Sequence, residues 1–202
     1  MKVAIVKYNA GNIYSVLTAL RRLGVEPLLT DVAEELTSAD RVLFPGQGEA
    51  RQAMTYLQAH GLDRVIRDLR QPVLGICIGQ QLMCRHTEEG DTDCLGIFPT
   101  DVLRFRPQRH EDKVPHMGWN TIQPTDRGQW LTGADAHPGT ADPYVYFVHS
   151  FYVPLCEHTA ARTDYIEPFS SALHKDNFYA TQFHPEKSGT VGEQILKNFL
   201  EL

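Results

Sequence analysis

The run Pro72-Val73-Leu74-Gly75-Ile76-Cys77-Ile78-Gly79-Gln80-Gln81 constrains this chain more than any other stretch. A short apolar segment bounded by proline reads as a buried strand, and here it breaks into Gly-x-Cys-x-Gly before residues that can start a helix. A strand-to-helix turn that sharp leaves no room for side chains two residues from its apex. The spacing therefore predicts a nucleophile elbow with Cys77 presented at the carboxyl end of its strand. A helix starting just after Cys77 aims backbone N–H groups and partial positive charge at the sulfur, which suits a nucleophilic thiolate. The competing reading is an inert core cysteine, the usual state of a buried thiol.

The rest of the chain supplies a setting for such an elbow. Residues 3–6 are continuously apolar, as expected of a parallel strand covered on both faces. After the Asn9-Ala10-Gly11-Asn12 turn, Ile13, Val16, Leu17, Leu20 and Leu23 recur at helical spacing, with Asn12 as N-cap and Gly24 as the stop. A second strand falls near 27–30 and a third at 42–44, which leads into Pro45-Gly46-Gln47-Gly48. Two helices lie between Glu49 and Arg70, one of them with Leu62, Val65, Ile66 and Leu69 on a single face. This alternation predicts the fold class: α/β, an open, mostly parallel sheet with helices on both faces. From about Thr87 the texture changes to β-type runs, the densest being residues 144–153, and these predict added strands, some antiparallel, that extend the same sheet. A last strand over 177–183 and a helix over 190–200 with a Thr190/Glu193 capping box close the pattern.

At 202 residues the expectation is a single domain spanning 1–202. A net charge of -6 gives no electrostatic case for nucleic acid or an anionic membrane as partner. The N-terminal apolar run stops at Lys7, short of a signal-peptide core, and no stretch reaches the length of a membrane span. Cys77, Cys84, Cys94 and Cys156 contain no C-x-x-C, so a reducing cytoplasm is the expected location.

A cysteine nucleophile needs a base within hydrogen-bond reach and a group that orients the base. Gln182-Phe183-His184-Pro185-Glu186 offers both. Pro185 biases His184 toward extended backbone, where residues two apart project to the same side, so His184 and Glu186 are expected to meet. The oxyanion of an acyl intermediate needs backbone donors: the N–H of Ile78 after the nucleophile, and one from the Gly46-Gln47 region of the glycine-rich loop. The histidines show no ligand spacing, so no metal is assigned; the Gly46-Gln47-Gly48 pair lacks the third glycine of a dinucleotide fingerprint, and there is no P-loop. On its own Tyr152 reads as a core aromatic, Trp119 could equally fill the core, and Cys84 reads as packing under the elbow helix.

The order Gly-Ile-Cys77-Ile-Gly followed by His184-Pro-Glu186 resembles the triad glutamine amidotransferases, class I. Three further runs resemble one branch of that family, the glutaminase subunit of imidazole glycerol phosphate synthase: Pro115-His116-Met117-Gly118-Trp119-Asn120, Tyr146-Phe147-Val148-His149-Ser150-Phe151, and the run from Gln182 to Ser188. The resemblance implies that Cys77, His184 and Glu186 hydrolyse L-glutamine through a thioester. It implies that Gly48, Gln81, Glu89, Ser150 and Phe151 bind that substrate, and that no cofactor takes part. It further implies a (β/α)8 cyclase subunit as the partner that uses the ammonia, with Asn12, Trp119, Asn120 and Lys187 at the interface. In the family the strand matching residues 45–48 is often found with its amide turned away from the oxyanion until the partner is liganded. The chain departs from the common Pro-Gly-Val-Gly at Gln47, and carries Gln80 where a methionine is common. A solitary hydrolase of the same fold and a catalytically silent regulatory subunit are the competing functions.

Overall fold

The computed structural model describes residues 1–8, 13–46, 48–133 and 142–202. The first half of the chain runs β1 (Val3–Val6), α1 (Ile13–Arg22), β2 (Leu28–Thr30), α2 (Ala33–Thr37), β3 (Arg41–Gly46), α3 (Ala50–Ala59), α4 (Leu62–Asp68), β4 (Val73–Cys77) and α5 (Ile78–Met83). This is the alternation expected. The second half runs β5 (His86–Thr87), β6 (Thr92–Asp93), β7 (Asp101–Arg104), β8 (His116–Thr121), β9 (Gln123–Pro124), β10 (Tyr144–His149), β11 (Phe151–Tyr152), β12 (Thr159–Thr163), β13 (Phe169–Lys175), β14 (Phe178–Thr181) and α6 (Gly189–Leu200). The main sheet has the order β2-β1-β3-β4-β14-β13-β12-β9. Its first five strands are mutually parallel, and the rest join antiparallel.

Continuous apolar runs are what a sheet covered on both faces requires, and each strand here feeds two cores. Ala4, Val6, Val42, Phe44 and Val73 face a cluster with Met54, Leu57, Ile66 and Leu82 from α3, α4 and α5. Their neighbours Val3, Ile5, Leu43, Leu74 and Ile76 face Val16 and Leu20 of α1 and Ile195, Leu196 and Phe199 of α6. Burying one such side chain contributes roughly 1.5–3 kcal/mol, so these opposed clusters dominate the stability of the central strands.

Gly24 ends α1 as expected: its φ of +77° lets its N–H reach the Arg21 carbonyl while that of Val25 reaches Leu20. The Asn9-Ala10-Gly11-Asn12 turn, with Asn12 as N-cap, lies outside the described residues. The capping box at α6 does not form. The helix begins one residue earlier, at Gly189 after Ser188, so Thr190 sits inside it, and Glu193 pairs with Arg22 of α1 instead. A second correction concerns the added strands. Among the described residues, β14, β13, β12 and β9 of the second half join the main sheet, whereas β8 and β10 form a separate ribbon and β11-β7-β5-β6 a small sheet. The dense run 144–153 is therefore two strands in different sheets, with the Ser150 carbonyl accepting from Phe105 N–H at the handover. Strand-type patterning sets which face of a strand is buried but not which strand it pairs with.

At the elbow the glycines are required by contact. A Cβ on Gly79 would lie 1.9 Å from the carbonyl oxygen of Phe44, and one on Gly75 would lie 2.9 Å from the backbone of Gly79. We expect Gly79→Ala to destabilise the chain by about 1–3 kcal/mol, the usual cost of overpacking; an unchanged urea midpoint would show that α5 does not depend on this approach to β3.

Candidate active site

Cys77 closes β4 with φ +56° and ψ -108°, a conformation that a residue other than glycine keeps only when its surroundings enforce it. The enforcement is the parallel register that sets Gly46 of β3 beside Cys77, together with the packing of Gly79 under Phe44. β14 lies on the other side of β4, with Thr181 opposite Ile76, and delivers the chain through Gln182 to His184 at the same end of the sheet. This is the carboxyl edge of the parallel strands, where open α/β sheets place their sites.

His184 is held from several directions. Its N–H donates to the Tyr146 carbonyl of β10, its carbonyl accepts from the Ser188 hydroxyl at 2.7 Å, and Tyr146 N–H donates to that same hydroxyl. His184 itself is extended, as expected, but residues 185–187 then form a 3₁₀ turn. The turn, rather than a continued extended chain, brings the Glu186 carboxylate to 2.8 Å from His184 Nδ1, with the side chains 3% and 1% exposed. α6 packs against this turn so closely that a Cβ on Gly192 would lie 1.8 Å from the Pro185 oxygen.

The electrostatics suit a proton shuttle. Burial works against protonation of His184, but negative charge on Cys77 and the Glu186 carboxylate bonded to Nδ1 outweigh burial and push His184 up to about 10. Among the described residues its buried Nε2 has no partner that meets hydrogen-bond geometry, so Cys77 acts on it as a charge. The sulfur also receives the Gln182 amide at 3.8 Å, and as a thiol it can donate to the Val148 carbonyl at 3.9 Å.

A cavity of about 380 Å³ opens on this pair. Of the residues anticipated from sequence, Cys77, Ile78, His184, Gly48, Gln81, Glu89, Ser150 and Phe151 line it, joined by Pro115, Val148 and His149. Glu89 is half-buried; burial raises its pKa, partly offset by the Ala50 N–H that it accepts at 2.9 Å at the start of α3. A carboxylate so placed gains most from a cationic ligand. Gly46 lies in β3 next to Cys77, whereas Gln47 is outside the described residues. Of the partner-facing candidates, Trp119 is 48% exposed on the outer face of the β8/β10 ribbon, stacked 5.9 Å from Tyr144, with Met117 also exposed. It is not a core residue. The amide of half-buried Asn120 is engaged within the chain by Asp164, His116 and Thr121, Lys187 is half-buried, and Asn12 lies outside the described residues.

The sequence did not single out Tyr8, His116, His149 or Gln182. Tyr8 Oη is buried over Gly46 with no hydrogen-bond partner among the described residues, and burial together with the nearby Cys77 pushes its pKa well up. Gln182 had an available signal: it precedes His184 by two positions in a run read as extended, so both face the same side.

A family model described as glutamine amidotransferase class-I matches residues 4–202. The imidazole glycerol phosphate synthase subunit HisH of Bacteroides thetaiotaomicron is 65% identical over 202 residues, covering all of both chains. The HisH subunit of Bacteroides fragilis is 64% identical over 203 residues, again covering both in full. A solved glutamine amidotransferase superposes with a TM-score of 0.72 at 19% identity, covering 98% of this chain and 97% of that one, a likeness of fold.

The arrangement predicts that His184 owes its high pKa to the sulfur. In Cys77→Ala the ring, followed by ¹⁵N NMR through a pH series, should titrate well below the value of about 10 in the parent; an unmoved titration would mean that Cys77 and His184 do not interact.

Proposed function

The chain belongs to the class-I glutamine amidotransferases, and from that premise we propose that its cavity hydrolyses L-glutamine and passes the ammonia to a cyclase subunit of imidazole glycerol phosphate synthase. The observation that carries the reading is the buried Glu186–His184 pair raised toward Cys77 at the mouth of one cavity. The Cys77 thiolate attacks the carboxamide carbon of the substrate, and the negative charge moves to the amide oxygen. Ile78 N–H and an amide from the Gly46-Gln47 region receive that charge. His184, protonated through Nε2 and held by Glu186 through Nδ1, gives its proton to the departing nitrogen, so ammonia leaves and a glutamyl thioester remains. Water, deprotonated by the now neutral His184, then attacks the thioester, and glutamate leaves as the thiolate returns.

Glu89 complements the ammonium group of the amino acid, Gly48, Ser150 and Phe151 surround its remaining polar groups, and Gln81 lines the same cavity. The partner is the finer part of the reading. It is supported by the relatives' names as synthase subunits and by the exposed Trp119 and Met117 on the outer face of the ribbon whose end, at Val148 and His149, lines the cavity. Exposed aromatic and methionine side chains are the usual anchors of an interface. Among the described residues no helix is long and apolar enough to cross a membrane, and cytoplasmic action is part of the proposal.

The test is glutamate release measured with the chain alone and with a (β/α)8 cyclase plus its nucleotide substrate. Slow release alone, strong stimulation in the complex, and a loss of about 10³-fold or more in Cys77→Ala are the expected outcome. Equal rates with and without the cyclase would favour a solitary hydrolase, and activity surviving in Cys77→Ala would overturn the mechanism. Because only ionised Glu89 attracts an ammonium group, and its pKa is raised, glutamine binding should weaken as pH falls through that raised value. A KM that is flat in acid, or that rises identically in Glu89→Gln, would remove Glu89 from this role.

A further inference from the structure

Behind the cavity lies a polar chain that the hydrolysis itself does not use. His149 and His116 stand directly opposite in the β10/β8 register, and both are buried. His149 Nδ1 is 2.7 Å from the Phe151 carbonyl, and its Nε2 is 3.0 Å from His116 Nδ1. His116 Nε2 faces the Asn120 amide at 3.5 Å, and its ring is stacked between Phe147 and Tyr165 with centroids 4.8 and 3.9 Å away.

A carbonyl oxygen can only accept, and this settles the protons along the chain. His149 must carry its proton on Nδ1, so its Nε2 is a lone pair. His116 must then donate from Nδ1, which leaves its Nε2 to accept from Asn120. A proton added to either ring would face another N–H or an amide donor, and burial already pushes His149 and His116 down to about 3 and 4. The pair is therefore neutral and fixed in tautomer, and His184 is the imidazolium of the site.

The consequence falls on Gln81. The Phe151 carbonyl that His149 engages also accepts from Gln81 at 3.1 Å, so the Gln81 atom facing it is Nε2. The second Nε2 proton goes to Gln182 Oε1 at 3.0 Å, and Gln182 in turn donates to Cys77 Sγ. Both protons of the Gln81 amide are thus spent on the protein, and Oε1 is the atom that it offers to the cavity it lines. We infer that His149, backed by His116, is a positioning residue for substrate selection: it fixes the Phe151 carbonyl and through it turns Gln81 Oε1, an acceptor, toward the ammonium group of an α-amino acid. The inference rests on the cavity being the glutamine site proposed above. It assigns to this pair a preference for substrates bearing an α-ammonium over amides that lack one.

The experiment uses alkylation of Cys77 by iodoacetamide in the full chain and compares how well L-glutamine and glutaric acid monoamide, which lacks the α-amino group, protect it. In His149→Leu the glutamine concentration for half-protection should rise about tenfold, equivalent to about 1.4 kcal/mol, while that of the monoamide stays within about twofold. His149→Asn keeps a donor near the Nδ1 position and should recover most of the loss. A rise shared equally by both ligands, which a merely structural role would produce, overturns the inference, as does no rise in a variant that melts like the parent. Should neither ligand protect the parent, the reading of the cavity itself is what fails.

Discussion

Gly79 lies against the carbonyl oxygen of Phe44 with no room for a β-carbon, and the geometry of the site depends on that contact. It lets α5 start immediately after β4 and tuck under β3, which forces Cys77 into its positive-φ conformation at the carboxyl edge of the sheet. Once the sulfur is there, neighbouring strands determine what it meets. β3 brings Gly46 to one side, and β14 brings Gln182 and His184 to the other, because parallel strands in one register end at one edge. Opposed cores of aliphatic and aromatic side chains on the two faces of the sheet hold that register.

The charges in the site divide according to what each imidazole faces. His184, His149 and His116 are all buried, and burial alone would discharge each of them. Only His184 faces a carboxylate on one side and a thiol on the other, and these overcome desolvation. His149 and His116 face a carbonyl, each other and an amide; of these the carbonyl favours a positive charge, and it does not outweigh burial. A second cation beside His184 would be repelled by it, so the neutrality of the pair and the protonation of His184 are complementary halves of one arrangement.

Much of the fold was legible because the relevant signals are local. Continuous apolar runs at residues 3–6 and 73–76, separated by helical periodicity, specify a doubly covered parallel sheet, and Gly24 in its C-cap motif behaves as its lack of a side chain dictates. The places where the reading departed from the structure share a cause. Thr190 and Glu193 have the spacing of a capping box, but the tight seat of Gly192 on Pro185 brings the helix start forward and leaves Glu193 to Arg22. The run 144–153 has strong strand character throughout, yet it changes sheets at Ser150 because its two halves find different partners. Trp119, which the sequence left between a core place and an interface one, is exposed because the ribbon parity that turns His116 and Asn120 inward turns Trp119 outward.

By itself the sequence put Cys77 on a strand-to-helix elbow and named His184 and Glu186 as its candidate partners, since Gly-x-Cys-x-Gly and His-Pro-Glu are short motifs whose backbone demands can be read from neighbouring residues alone. It also determined that strands and helices alternate, and hence that the elbow opens at the carboxyl edge. Only the tertiary structure decided which proton sits on which ring nitrogen, which way the Gln81 amide turns, and that Gln182 touches the sulfur. The side-chain contacts of Gln81 and Gln182 join residues 70 to 105 positions apart, set by strand register and burial, and the His149–Phe151 contact depends on where the chain changes sheets at Ser150. A hydrogen-bond partner that distant leaves no trace in local spacing.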